Sequence, residues 1–379
     1  MEKQIQDIQI GILGGGQLGR MLVQKAIDWD LKIQVLDPDS EAPCKNICTK
    51  FHLGSFKDYQ TVLNFGRNCD VITIEIENVN VDALDALKAE GKTIYPSPDL
   101  IRTVQDKGLQ KLFYRENHLP TSEFVFIESK EDIAEHQHLF PVMHKLRTGG
   151  YDGKGVCVIR SNNDVKNVPE GSAILEKLID FKSELSVIVS RGSNGETKSF
   201  PAVDMEFNKE ANLVEFLFSP STLSSQLEDE AKKIALDIAI KLDLIGIMAV
   251  ELFVTQDDQL LINEIAPRPH NSGHQTIEGN KTSQYEQMLR AITGLPLGDT
   301  DITRPSVMLN LLGEKGYEGN PIYSGIENVM SKSGVHIHLY GKKITKPYRK
   351  MGHVTIVDST LKSAIETAQF VKKYLKVIA

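Results

Sequence analysis

The residues best able to do chemistry fall in two stretches, 145–156 and 251–274. The run Arg147-Thr148-Gly149-Gly150-Tyr151-Asp152-Gly153-Lys154-Gly155 sets four glycines within seven residues, between two apolar runs that read as strands. Glycine loses the most backbone freedom on ordering, so a cluster of it implies amides that must approach something closely. Successive unobstructed amides form an anion-binding concavity, and Lys145, Arg147 and Lys154 add positive charge. The chemistry expected is a lid over phosphates, with a plain hairpin tip as the structural alternative.

The second stretch begins with Met248–Val254 and Leu260–Ala266, two strand-like runs joined by Thr255-Gln256-Asp257-Asp258-Gln259. A hairpin centred between Asp257 and Asp258 sets Glu251 opposite Glu264 on one face. Directly opposed side chains lie roughly 5 Å apart at Cβ, and like charges there repel unless a cation sits between them. Magnesium suits two carboxylates that share it with nucleotide phosphates. A one-residue slip of register would instead turn a glutamate to solvent. The chain continues as Asn263-Glu264-Ile265-Ala266-Pro267-Arg268-Pro269-His270-Asn271-Ser272-Gly273-His274, too polar and too rich in Pro and Gly for a strand. His270 and His274 have the i, i+4 spacing of a zinc helix, but Gly273 and Pro269 argue against that helix, so an active-site loop carrying Arg268 and His270 is expected.

The elements that must hold these groups follow from periodicity. Residues 8–13 form a buried strand, Gly14-Gly15-Gly16-Gln17-Leu18-Gly19 a turn, and Leu18–Trp29 a helix. Strands at Lys32–Asp37 and Val71–Glu77 and a helix at Val81–Ala89 complete an alternation that predicts a parallel sheet. Tyr95-Pro96-Ser97-Pro98 marks a boundary. Asp99–Asn117 reads as one helix, Glu123–Ile127 as a strand, Glu131–His138 as helical, and 141–160 as strand, glycine loop, strand. Long antiparallel strands are expected at Glu184–Arg191 and Ser199–Glu206, then a helix opened by a capping box at Ser225 and Glu228. Strands at 306–312, 335–340 and 353–357 and a helix over Leu361–Tyr374 form a compact tail.

A chain of 379 residues exceeds one ordinary core, so several domains are expected. A net charge of −8 disfavours nucleic acid and anionic membrane as bulk partners. The apolar runs are too short to span a bilayer, the first residues lack a signal-peptide pattern, and four cysteines without close pairing suit a reducing compartment. A cytoplasmic location is expected. Lys342, Lys343, Lys346, Arg349 and Lys350 set five cations within nine residues of this acidic chain, which marks a local anion pocket beside the strand Met351–Val357.

Taken together, Gly14–Met21, Arg147–Gly155 and Asn263–His274 resemble the ATP-grasp carboxylate–amine ligases, and among them the 5-(carboxyamino)imidazole ribonucleotide synthase family, over almost the whole chain. The resemblance implies an α/β (α+β) fold: a Rossmann-like parallel-sheet domain over 1–97, an ATP-grasp region over 98–295 (lid about 120–172, central part about 173–295), and a small β-rich domain over 296–379. It implies a reaction in which ATP, with magnesium, converts bicarbonate to carboxyphosphate, whose carboxyl group passes to the amine of 5-aminoimidazole ribonucleotide. ATP contacts then fall on Arg102, Lys145, Gly150, Tyr151, Asp152, Gly153, Lys154, Gly155 and Val156, on Glu176, Lys177, Leu178 and Ile179 at the adenine edge, on Glu184 at the ribose, and on Phe207, Asn263 and Glu264. Glu251 and Glu264 hold magnesium; Arg268, His270 and Lys350 serve carboxylation, with Tyr151 and Asp152 closing from the lid. Gln17, Leu18, Glu75, Asn271, Lys342 and Arg349 take the ribonucleotide, and Lys343 and Lys346 stay in solvent. A homodimer is the implied assembly.

Two positions depart from the pattern. Ala266 stands where the wider superfamily has a metal-binding Asn, leaving Asn263 as the substitute, and Phe207 stands where the family often has His. Two rival chemistries share parts of the sequence. Gly14-x-Gly16-x-x-Gly19 with Asp37 fits an NAD-dependent dehydrogenase. A formate-dependent glycinamide ribonucleotide formyltransferase uses the same ATP logic.

Overall fold

A computed structural model describes residues 4–149, 155–208, 210 and 213–379. Near the N-terminus a five-stranded parallel sheet runs in the order Lys50–Leu53, Lys32–Asp37, Gln9–Leu13, Val71–Ile74, Thr93–Ile94. The central strand divides its side chains by period. Ile10 and Ile12 pack with Met21, Leu22 and Val23 of the helix Gln17–Ile27 on one face, while Leu13 joins Val62, Phe65 and Leu84 on the other. The strand Val71–Ile74 is shorter than the expected Val71–Glu77. Glu75 leaves the ladder and turns back onto the glycine turn, where its carboxylate accepts the amides of Gly16 and Gly19, each at 2.5 Å.

The expected helix over Asp99–Asn117 is two helices, Pro98–Gln105 and Lys107–Glu116. Asp106 between them is extended (φ −116°, ψ 107°) and caps the second through the amides of Gly108 and Leu109. Beyond it stands a four-stranded antiparallel sheet in the order Phe124–Ile127, Ala173–Lys177, Val142–Leu146, Val156–Ile159. Its core is Ile127, Ile133, Val142, Ile159, Val168 and Leu175.

The largest sheet runs Leu260–Ala266, Gly246–Thr255, Phe181–Arg191, Val203–Asn208, Leu213–Ser219, Ser306–Leu312, Lys350–Val357, Val335–Leu339, antiparallel throughout. It crosses the expected boundary at 295, because Leu213–Ser219 pairs directly with Ser306–Leu312. The strand expected over Ser199–Glu206 is split into Thr197–Ser199 and Val203–Asn208. Pro201 lies in the gap and has no amide to give a ladder. The helix Ser225–Lys241 covers the sheet with Ala231, Ile234, Ala235 and Ile238 against Leu185, Val187, Met248 and Val250. Its cap is Ser224, whose hydroxyl accepts from Leu227, one residue before the expected Ser225. The C-terminal helix Leu361–Tyr374 begins and ends as periodicity predicts.

Candidate active site

The hairpin places Glu251 opposite Glu264 by a route different from the expected one. Val254 faces Leu260, Phe253 faces Leu261 and Leu252 faces Ile262, so the loop is centred on Asp257, and Asp258 takes a left-handed φ of 65°. A β-bulge then absorbs Asn263, restoring Glu251 to Glu264. On the other side Glu251 faces Ser186 of the strand Phe181–Arg191. One row therefore crosses three strands: Ser186, Glu251, Glu264.

Glu251 is mostly buried and Glu264 half exposed. Burial, then repulsion from Glu264 and Glu184, holds the Glu251 carboxyl well above the usual range. Burial also raises Glu264, but Lys107 and Lys145 outweigh it and keep that carboxyl low. Glu184 is pushed up to about 7, chiefly by burial. Two facing carboxylates of which one is forced toward its protonated form are a donor set that a hard divalent cation fits. Among the described residues no third His, Cys, Asp or Glu completes a metal cluster with them, which leaves room for phosphate oxygens in the coordination shell.

Lys107, Lys111 and Lys145 line a cleft with Glu176, Asn263 and Glu264. Lys107 reaches Glu264 at 3.3 Å, and Lys145 reaches Glu176 at 3.2 Å and Asn263 at 3.4 Å. Burial pushes Lys111 down to about 8, even beside Glu176 at 3.4 Å. The Glu176 side chain is thus a counter-ion between two lysines. Along this segment the amides of Lys177 and Leu178 are donated to the carbonyls of Glu123 and Pro141.

Arg102 is not brought to this cleft. Its guanidinium pairs with Asp85 at 2.5 Å, Asp99 at 3.1 Å and Asp82 at 3.8 Å on the surface. Lys107, at the start of the next helix, is the cation from this region that lines the cleft. Phe207 packs on the apolar cluster of Val203, Met205, Leu217 and Met308. Val156 faces Lys145 in the lid sheet, and the Gly155 carbonyl accepts from Leu146. Gly150, Tyr151, Asp152, Gly153 and Lys154 lie outside the described residues. The stem of the loop is tied down by Arg147, which forks onto Asp106 at 2.6 and 3.0 Å.

A second group gathers around Arg268. Its Nε lies 2.8 Å from Glu77, and the Glu75 and Glu264 carboxylates add to the field that holds it charged despite burial. His270 Nε2 stands 3.7 Å from Glu251. Burial, then the positive fields of Arg268 and Lys350, push this imidazole down to about 3, so it is neutral. His274, by contrast, is buried in a stack with His353 and accepts or donates to Tyr285 at 3.0 Å; it serves packing.

A second cleft, of about 430 Å³, lies between the glycine turn and the basic loop. Gly16, Gln17, Asp37, Lys342, Lys343 and Arg349 are among its walls; Lys343 is exposed, as expected, and stands at the cleft's rim. Leu18 packs in the core and does not line the cleft. Asn271 is held by a reciprocal amide pair with Asn310, at 3.0 and 2.9 Å. The glycine turn owes its composition to Glu75: a Cβ on Gly16 would fall 2.5 Å from the Glu75 carboxylate. That carboxylate fills the helix N-terminus where a dinucleotide pyrophosphate would sit, which removes the structural basis of the NAD-dependent reading.

Sequence reasoning missed Glu77, Lys107, Lys111, Ser186 and Asn310. Asp106-Lys107-Gly108 carried a readable helix-start signal. The others become visible only when distant strands meet.

A small antiparallel sheet beside a larger one, with paired acids and lysines in the cleft they line, is the arrangement of the ATP-grasp class of ligases. Family models agree in order along the chain: the ribonucleotide synthetase preATP-grasp domain at 8–105, the ATP-grasp domain at 112–285, and the phosphoribosylaminoimidazole carboxylase C-terminal domain at 306–367. The N5-carboxyaminoimidazole ribonucleotide synthase of Bacillus subtilis is 35% identical, covering 92% of this chain and 91% of its own. A crystal structure of the Aspergillus clavatus N5-carboxyaminoimidazole synthase, in complex with ADP and 5-aminoimidazole ribonucleotide, superposes with a TM-score of 0.88 at 33% identity, covering 98% of this chain and 99% of that one. Some relatives are longer. The chain covers 36% of the length of the bifunctional purine synthesis protein purC/E of Dictyostelium discoideum, which is 38% identical over 91% of this chain. The chain belongs to the N5-carboxyaminoimidazole ribonucleotide synthase family, whose members are ATP-dependent ligases.

Proposed function

We propose that this chain carboxylates the amine of 5-aminoimidazole ribonucleotide. The terminal phosphoryl group of ATP passes to bicarbonate and ADP leaves. The carboxyl group of the resulting carboxyphosphate transfers to the amine, directly or as carbon dioxide, and phosphate is released. The observation that carries this reading is the placement of Arg268, neutral His270 and Lys350 against Glu251, the residue that faces Glu264 beside the lysine cleft. Bicarbonate is a poor electrophile, so its oxygen must become a phosphate leaving group, and the protein must then position and neutralise.

In this reading Lys107 and Lys145 hold phosphate oxygens together with the loop over 150–156, and Glu184 takes the ribose. Glu251 and Glu264 hold magnesium, which when bound offsets charge on the phosphoryl group in transit. Arg268, His270 and Lys350 gather the bicarbonate oxygens, while Tyr151 and Asp152 close over them. Gln17, Glu75, Asn271, Lys342 and Arg349 receive the ribonucleotide, with Lys343 added from the cleft's rim. We place functional parts at 1–97, 98–295 and 296–379. The last two share one sheet, joined where Leu213–Ser219 pairs with Ser306–Leu312.

ADP release is measured with bicarbonate alone and with 5-aminoimidazole ribonucleotide added, with formate and glycinamide ribonucleotide as the rival pair. Stimulation by the first amine and not by the second pair supports the proposal; the reverse pattern replaces it with formyl transfer. Arg349→Ala is expected to raise the Michaelis constant for the ribonucleotide about tenfold or more, the loss of one charge-assisted hydrogen bond of about 1.5–3 kcal/mol, with kcat little changed. Steady-state kinetics in the ribonucleotide check this.

A homodimer is the assembly we propose, closed two-fold pairs being the commonest form, and light scattering tests it. A cytoplasmic location is also proposed. The free thiols Cys44, Cys48, Cys69 and Cys157 suit a reducing compartment, and among the described residues no helix is long and apolar enough to cross a membrane.

A further inference from the structure

Ser186 and Ser272 form a buried pair of hydroxyls with no assigned part in the reaction. Each is about 1% exposed, and their Oγ atoms lie 2.7 Å apart. Ser186 sits on the strand Phe181–Arg191 directly across from Glu251. Ser272 belongs to the loop that carries His270, and its Oγ lies 2.9 Å from His270 Nδ1. The amide of Ser272 also points at that nitrogen, at 3.3 Å.

An amide can only donate, so Nδ1 must present its lone pair, and the single proton of a neutral imidazole then resides on Nε2. The hydroxyls fall into line: Ser186 Oγ–H donates to Ser272 Oγ, and Ser272 Oγ–H donates to His270 Nδ1. The main chain of His270 is fixed independently. Its amide donates to Gln284 Oε1 at 2.8 Å, and its carbonyl accepts from Gln284 Nε2 at 2.7 Å. With main chain and Nδ1 both held, the ring has one orientation, and Nε2–H points toward Glu251.

We propose that Ser186 is a positioning residue: through Ser272 it fixes His270 as an Nε2–H hydrogen-bond donor aimed at the bicarbonate oxygens beside Glu251. His270 therefore donates to the reacting oxygens and does not take a proton from them through Nε2. A buried strand position such as this one would hold an apolar side chain at lower cost if only burial mattered. The hydroxyl is there because a ring two steps away needs its nitrogen defined.

The activity arm of the test rests on the proposed carboxylation; the spectroscopic arm does not. Nitrogen-15 NMR of histidine-labelled protein is expected to show His270 with an unprotonated Nδ1 and a protonated Nε2. In Ser186→Ala the Ser272 hydroxyl loses the donor that turns its own proton toward His270, leaving the long 3.3 Å amide contact as the weaker hold on Nδ1, so the His270 signals should move toward a mixture of tautomers. In that variant kcat should fall about 10- to 100-fold, the range for partners that orient an active-site histidine, with ADP affinity unchanged. Ser186→Thr, which keeps the hydroxyl, should restore both signals and rate. Ser272→Ala provides the same test from the loop if the strand variant does not fold. A wild-type His270 protonated on Nδ1 overturns the proposal, as does a Ser186→Ala or Ser272→Ala protein with unchanged tautomer and unchanged kcat. A wild-type protein inert toward the ribonucleotide but with the expected nitrogen signals would refute the reaction and leave the hydroxyl pair's role in setting the tautomer intact.

Discussion

Glu264→Gln is expected to abolish magnesium-dependent ADP release, by at least about 100-fold, while the protein stays folded. Loss of a group that merely orients a metal ligand costs about 10- to 100-fold, and a ligand itself costs no less. The substitution keeps size and removes charge. It relieves the repulsion that, after burial, raises the Glu251 carboxyl, and it takes from Lys107 its partner at 3.3 Å. The relief and the lost, largely solvent-screened ion pair offset one another, so the thermal midpoint should hold within a few degrees of the parent, about 1 kcal/mol for a chain of this size. Two measurements check the assignment: the magnesium dependence of ADP affinity by calorimetry, and ADP release. Glu251→Gln should behave alike, and the double variant should lose little more, because groups that act on one ion fail together. Near-normal magnesium-dependent binding in either single variant discards the pair as the metal site.

The acid pair was legible because the sequence places a hairpin turn near Asp257 and Asp258, and the position of the turn sets which residues face each other. The details differed: the loop is centred one half-step earlier, and Asn263 bulges out to restore the register. Two departures cancelled, and Glu251 still faces Glu264. Local signals were equally reliable for the helices Val81–Ala89 and Leu361–Tyr374. What failed was whatever depends on meetings between distant segments. Glu75 reads as one more residue of a strand, and only the fold reveals that its carboxylate caps the glycine turn some 60 positions earlier. Arg102 and Lys107 are both cations on helical segments, and the break at Asp106, reinforced from the lid by Arg147, decides which reaches the cleft. The tail shares its sheet with the central strands because Leu213–Ser219 finds Ser306–Leu312, a pairing that no local pattern encodes. Asn271 was read as a substrate contact, while its tie to Asn310 across that shared sheet was invisible.

Arg268→Ala is expected to lower kcat about 10²- to 10³-fold, the cost of removing one preorganised donor from a charge-stabilising site, with the Michaelis constant for ATP nearly unchanged. The argument rests on where this guanidinium stands. It is buried, paired with Glu77 at 2.8 Å, and within the fields of Glu75 and Glu264. It therefore stands between the N-terminal segment, which carries Glu75 and Glu77, and the hairpin, which carries Glu264. Arg268→Lys should recover little of the loss, because a point charge on a flexible stem cannot hold Glu77 and also present a planar fork to bicarbonate. Glu77→Gln separates the two duties. If Glu77 only aims the guanidinium, its loss should lower kcat less than Arg268→Ala, and the double variant should be no worse than Arg268→Ala alone. Pre-steady-state measurement of ADP formation with bicarbonate, before amine is added, locates the defect. A slow first turnover in Arg268→Ala places the arginine at carboxyphosphate formation, and a normal first turnover with slow carboxylation places it at transfer to the amine. A variant with unaltered rates in both phases would remove Arg268 from the reaction and leave it as a strut between these segments.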